Sequence, residues 1–158
     1  MKTIRRRRLE AKTDYKARLA LLKSGKPRLV VRKTNRGIIV QIVQSEIAQD
    51  KVICGASSKI LLSKGWPKEL EGSLKSLAAA YLTGFVVGKM AIDKKIKEAI
   101  LDAGMHINVK NSRIYAVVRG AIDAGLKVPC DQSILPEMES IKTAKFAKII
   151  DKIVGGNK

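Results

Sequence analysis

A change of hydrophobic period halfway along the chain most constrains its fold. Before it, RLVVRKT at 28–34 and IIVQIVQ at 38–44 are rich in β-branched residues and are joined by Asn35-Arg36-Gly37, a hairpin signal. KVICGASS at 51–58 follows a polar turn around Ala48-Gln49-Asp50. Short connections require antiparallel neighbours, because parallel strands need long crossovers, so an N-terminal antiparallel meander is expected. After the change, Leu74, Leu77, Ala78, Tyr81, Leu82, Phe85 and Val86 recur at three and four and predict a helix over 73–91. SRIYAVVRGAIDAGLKVP predicts a second helix at 112–129, closed by Gly125 and Pro129. A last helix at 142–154 carries Phe146, Ile149, Ile150 and Ile153 and stops at Gly155-Gly156. KKIKEAILDAG, between the first two helices, fits a helix by propensity or a buried strand by its short apolar centre. Strands first and then alternating elements imply an α/β domain with helices packed on a mixed sheet.

The N-terminus reads differently. The first 12 residues have no apolar period and are expected to be an extended arm, disordered without a ligand. Thr13 can then cap a short helix over 13–24 with Asp14 in its first turn. Tyr15, Leu19 and Leu22 share one face of that helix, and Gly25-Lys26-Pro27 stops it.

Charge sets the function class. The chain has 158 residues, a hydrophobic fraction of 46% and a formal net charge of +18. That is enough apolar content for one core, which excludes a wholly disordered polycation. Residues 1–36 hold 14 Lys or Arg against Glu10 and Asp14, a net of +12, and the remaining 122 residues add only +6. Such crowding costs stability unless a polyanion supplies the counter-charge.

Other classes find little support. Cys54 and Cys130 match no metal-ligand spacing and read as small buried or half-buried side chains. The Arg run leads into a charged amphipathic segment, not an apolar core of a secretory signal. LAAAYLTGFVVG at 77–88 is 12 residues long, whereas a bilayer span needs about 20. Its Gly84 and Gly88 read as permission for close helix packing. The chain is therefore expected to be soluble and intracellular, in a reducing compartment. His106 is the only histidine, and it reads as a surface or structural residue. Phosphate-loop, dinucleotide and nucleophile-elbow motifs are missing, so no catalytic residue, metal or cofactor is assigned. Asp102 and Asp123, each among small apolar residues, read as capping or ion-pairing groups.

Binding residues are plentiful. Arg5, Arg6, Arg7, Arg8, Lys12, Lys16, Arg18, Lys23, Lys26, Arg28, Arg32, Lys33 and Arg36 run from the arm through the helix into the first hairpin. The planar fork of arginine grips phosphate at two points and stacks on bases. Tyr15, Asn35, Gln41 and Gln44 are candidates for stacking or base-edge contact. A solvated charge run or a sorting signal would explain the arginines but not the basic strands. No DNA-binding motif is present, and aromatics at 4% are too few for a single-strand stacking platform. A structured RNA held by its phosphates fits best.

RRRRLEAKTDYKARLALLKSGKPRLVVRKTNRGIIVQIV closely resembles the N-terminus of the large-subunit ribosomal protein that binds 5S rRNA, the universal large-subunit protein eighteen family in its archaeal and eukaryotic form. ASSKIL at 56–61, AAYLTGFVVGKMA at 79–91, EAILDAG at 98–104 and SRIYAVVRGAIDAGLKVP at 112–129 follow in the family's order, so the resemblance covers roughly 10–130. It implies a three-layer α/β core with a mixed sheet, and a strand at EAILDAG. Three segments follow: a basic rRNA-binding arm and helix at 1–27, a core at 28–130 and a C-terminal helical extension at 131–158. The resemblance also implies a seat in the central protuberance of the cytoplasmic ribosome. There the family anchors 5S rRNA to the large-subunit rRNA beside other large-subunit proteins, including another 5S-binding protein. It adds Thr13, Tyr15, Asn35, Ser57, Ser58 and Lys59 to the RNA-contacting set. Asp14 has two readings, a base contact or a helix cap, and the cap is favoured. The competing classes are a metal-dependent nucleic-acid-processing enzyme on a ribonuclease-H-like core, which needs three converging carboxylates, and a nonspecific chromatin-type protein.

Overall fold

The β-branched runs pair as their spacing requires. In the computed structural model, which describes residues 4–10, 12–47, 49–143 and 145–155, the strands are β1 (Arg28–Lys33), β2 (Ile38–Glu46) and β3 (Gln49–Ser57). They form the expected antiparallel meander, with Leu29 opposite Ile42, Val31 opposite Val40 and Ile42 opposite Cys54. Ala48, part of the expected second turn, lies outside the described residues. A fourth strand, β4 (Ile100–Asp102), joins β1 in parallel, so the sheet is mixed, in the order β3-β2-β1-β4. EAILDAG is thus a strand, three residues long.

Strand alternation then separates two faces. Leu29, Val31, Ile38, Val40 and Ile42 are all buried beneath helices. Arg28, Val30 and Arg32 point the other way.

Two helices build the covered face: α4 (Leu77–Asp93) and α5 (Arg113–Asp123). They follow three shorter ones, α1 (Arg6–Leu9), α2 (Tyr15–Lys23) and α3 (Ile60–Ser63). Helix α4 begins at 77 and not at 73, because the Ser76 hydroxyl accepts the Ala79 amide and starts it there. Leu74 is buried, but from the end of a 3-10 turn spanning Lys68–Ser73. Glycines let α4 and α5 touch backbone to backbone. A Cβ on Gly84 would stand 2.1 Å from the Val117 carbonyl oxygen, and one on Gly120 would stand 2.1 Å from that of Tyr81. Close packing, as read from the Gly84–Gly88 spacing, is what these glycines provide. Helix α5 ends at Asp123, short of the expected 129. Gly125 turns the chain with φ +103°, and Leu126 and Val128 pack as extended chain.

The helix expected over 142–154 starts later, and a separate helical turn precedes that range. Helix α6 covers Met138–Ile141 and α7 covers Ala147–Gly155. The break falls after Thr143, whose carbonyl accepts the amides of Phe146 and Ala147 and so begins α7 anew. Gly156, the expected stop, lies outside the described residues. Ile141, Ile150 and Ile153 are buried, and the Phe146 ring stacks on Trp66 with centroids 5.2 Å apart. Cys54 is buried, Cys130 is half-buried, and both are free thiols. No described helix is long and apolar enough to cross a membrane.

Candidate nucleic-acid interface

The arm does not run extended through its described part. Residues Arg6–Leu9 make one helical turn, and the chain folds back because the Arg7 carbonyl accepts the amides of Lys12 and Thr13 at 2.9 and 3.1 Å. Arg7 Nε donates to Thr13 Oγ1 at 3.0 Å, so Thr13 anchors the arm and does not cap α2. The cap is Asp14, whose carboxylate accepts the amides of Lys16 and Ala17 at 3.0 and 3.3 Å. Those bonds, that of Ala17 foremost, together with the nearby Arg8 guanidinium at 3.2 Å, hold the Asp14 carboxyl below the usual carboxylate range. The Arg5 guanidinium lies 4.7 Å from the Tyr15 ring centre. Arm and helix therefore form one unit, tied by Arg5 to Tyr15, Arg7 to Thr13 and Arg8 to Asp14.

Helix α2 is amphipathic in sequence but not in burial. None of its residues is buried, and Leu19 is 55% exposed. What fastens it is charge. Arg18 pairs with Asp50 of β3 at 2.7 Å, and the same carboxylate receives Arg28 at 2.8 Å. Arg28 is only 3% exposed and reaches Asp102 of β4 at 2.8 Å with its other nitrogen. Arg32 closes the chain on Asp102 at 2.9 Å. Burial would raise the Asp50 carboxyl, but hydrogen bonds from Ser45 and Arg28 and the charges of Arg28 and Arg18 outweigh it and leave it lowered. Asp102 is thus an ion-pairing residue, as its apolar sequence setting suggested. Asp123 pairs with Arg119 and accepts the Tyr81 hydroxyl at 3.0 Å, which helps push the phenol beyond its ordinary range after the larger effect of burial.

Between this unit and the β1–β4 side of the sheet lies a cleft of about 630 Å³, with Arg7, Lys12, Arg18 and Arg32 among its walls. Arg5, Arg6, Arg8, Lys16, Lys23 and Lys26 are exposed on the same N-terminal segment. Lys16 and Lys23 pair with no carboxylate among the described residues, while Lys26 meets Glu98 at 3.0 Å.

A second basic cluster sits at the far end of β1. Thr34 closes the hairpin by accepting the Gly37 amide at 3.0 Å, leaving Lys33, Asn35 and Arg36 exposed. Ser57 lies opposite Ile39, which brings Ser57, Ser58 and Lys59 beside that turn. Lys59 is exposed, whereas Ser58 is buried with its hydroxyl accepting the Ile38 amide at 3.1 Å. Gln44 is exposed and Gln41 half-buried on β2. Arg28 and Ser58 therefore belong to the framework beneath the surface. The sequence held a clue for Arg28, since it opens an apolar strand while Asp102 closes another; their pairing is a matter of three dimensions.

His106 has a structural use, in line with its reading as a surface or structural residue. Its Nε2 accepts the Lys33 amide at 3.1 Å, joining the loop after β4 to the hairpin. Burial first, then the charges of Lys33 and Arg32, push its imidazole below the ordinary value. Among the described residues, no three histidine, cysteine or carboxylate side chains gather as metal ligands. The arrangement gathers exposed cations whose chemistry suits an anionic ligand.

Comparison with known proteins agrees with that chemistry. Residues 1–99 match the family described as ribosomal large subunit proteins 60S L5 and 50S L18. The chain is 47% identical over 148 residues to the large ribosomal subunit protein uL18 of Korarchaeum cryptofilum, covering 94% of this chain and 74% of that one. The uL18 of Methanoculleus marisnigri is 46% identical over 150 residues, covering 95% and 83%. That of Aeropyrum pernix is 43% identical over 144 residues; the match takes in 90% of this chain but spans only 65% of the relative's length.

Proposed function

We propose, starting from the fact that this chain belongs to the uL18 family of large ribosomal subunit proteins, that it is a non-enzymatic structural constituent of that subunit in the cytoplasmic ribosome. Its ligand is 5S rRNA, which it helps attach to the large-subunit rRNA in the central protuberance, beside neighbouring ribosomal proteins that include another 5S-binding one. The observation that supports this reading is the joined arm–helix unit, which exposes Arg5, Arg6, Arg7, Arg8, Lys12, Lys16 and Lys23 beside a cleft that has Arg7, Lys12, Arg18 and Arg32 among its walls. Two-point guanidinium contacts on phosphates provide affinity, and a rigid arrangement of them provides register. Tyr15, already carrying Arg5 on its ring, offers a stacking edge. Arg18, Lys26 and Arg32, with the hairpin cluster of Lys33, Asn35, Arg36, Ser57 and Lys59, extend the contact along the sheet. Arg28, Thr13 and Ser58 serve it from behind by fixing the elements on which those groups stand. In segment terms, 1–27 grips RNA, 28–130 is the scaffold and 131–158 closes it.

Substituting Arg5–Arg8 together by alanine tests the reading. Each lost phosphate contact lowers the slope of log affinity against log salt by roughly 0.7–0.9, so a total change of roughly 3 is expected for 5S rRNA. An unchanged slope would remove the arm from the interface.

A further inference from the structure

A second surface begins where Ala103 and Gly104 leave the cleft wall, on the loop that joins β4 to α5. Met105, Ile107 and Val109 are 45%, 84% and 54% exposed, and with Leu77 and Ile114 they line a groove of about 590 Å³. The loop is not slack. The Gly104 amide donates to Asp102 at 3.0 Å, His106 accepts the Lys33 amide, Asn108 is bonded by the Tyr115 hydroxyl, and the Asn111 amide donates to the Ile134 carbonyl at 3.1 Å. Bonds from residues 104, 106, 108 and 111 thus tie the loop to the body, while positions 105, 107 and 109 hold apolar groups out in water. Contiguous apolar exposure on an anchored frame marks an interaction site.

The rim says what covers it. Lys33 and Arg113 border the groove and Lys110 follows Val109. Neither Lys110 nor Arg113 pairs with a carboxylate among the described residues. A second copy of the chain would set cations against cations under a net charge of +18. RNA would answer the rim, but aliphatic side chains give bases no aromatic face to stack on and no hydrogen bond.

The geometry points to a docking site for another protein of the large subunit, one that presents an apolar plug edged by carboxylates. This rests on the ribosomal reading above. A photo-crosslinking residue placed at Ile107 of the full chain, in large subunits isolated from cells that express it, tests the inference. The expected product is a crosslink to one stoichiometric subunit protein, at a peptide carrying Asp or Glu beside apolar residues. The variant Ile107→Asp should then lower the occupancy of that protein about tenfold, the loss typical of a central contact. Its 5S rRNA affinity and melting temperature should match those of the unaltered chain. A crosslink to rRNA, no crosslink in subunits that contain the chain, or unchanged occupancy in Ile107→Asp would each overturn it. A chain absent from the subunits would instead overturn the ribosomal reading, and this inference with it.

Discussion

Asp102 shows how one side chain can serve a surface it does not reach. It is 6% exposed and receives Arg28 and Arg32, so its charge fixes two strands and, through Arg28 and Asp50, the helix that carries the arm. Removing one member of a buried pair strands the other charge, at a cost of about 3–5 kcal/mol. Asp102→Ala should fall near the lower end of that range, because Arg28 keeps Asp50 and Ser45. The double variant Arg28→Met/Asp102→Leu should lose less than Asp102→Ala alone; urea midpoints of the three proteins decide. His106 gives a pH signature of definite sign. Its folded-state value lies below the ordinary 6.5, so the unfolded chain takes up the proton first. The stability this provides is whole above pH 6.5 and is lost as pH falls below it. His106→Gln should therefore show a smaller drop in melting temperature between pH 7 and pH 5 than the unaltered protein.

The α4–α5 pair is where sequence and structure agree most closely, and the reason is steric. Small residues at helical spacing have one structural use in a buried helix: they let another backbone approach. Gly120→Ala should lower stability by about 1–3 kcal/mol, since its Cβ meets a carbonyl that must move. Gly72→Ala, with nothing within 4 Å, should stay within about 0.5 kcal/mol, and thermal unfolding of the two checks the contrast. Elements whose state depends on distant partners were harder to read. EAILDAG has helix propensity and becomes a strand because β1 offers it a parallel edge; only the family resemblance chose correctly. Helix α2 shows the reverse: Tyr15, Leu19 and Leu22 share a face by period, yet that face is not buried, and ion pairs hold the helix instead. The Thr143 break between α6 and α7 left no periodic trace, since Phe146, Ile149, Ile150 and Ile153 keep their spacing on either reading.

Taken as a whole, the molecule separates its two tasks. An apolar body of sheet, α4, α5 and α7 supplies stability, and a cationic N-terminal segment supplies the reach. The charge imbalance announced that division in the sequence, and the run of arginines into a helix pointed to one unit; the contacts through Tyr15, Thr13 and Asp14 that pin it belong to the structure. A pinned set of cations should discriminate between RNA shapes, whereas a loose polycation would follow phosphate density alone. The most direct measurement is binding to 5S rRNA across a salt series, with equal masses of tRNA and duplex DNA as competitors. A preference for 5S rRNA that persists at physiological salt is the predicted result. Equal binding to all three, vanishing together as salt rises, would contradict it.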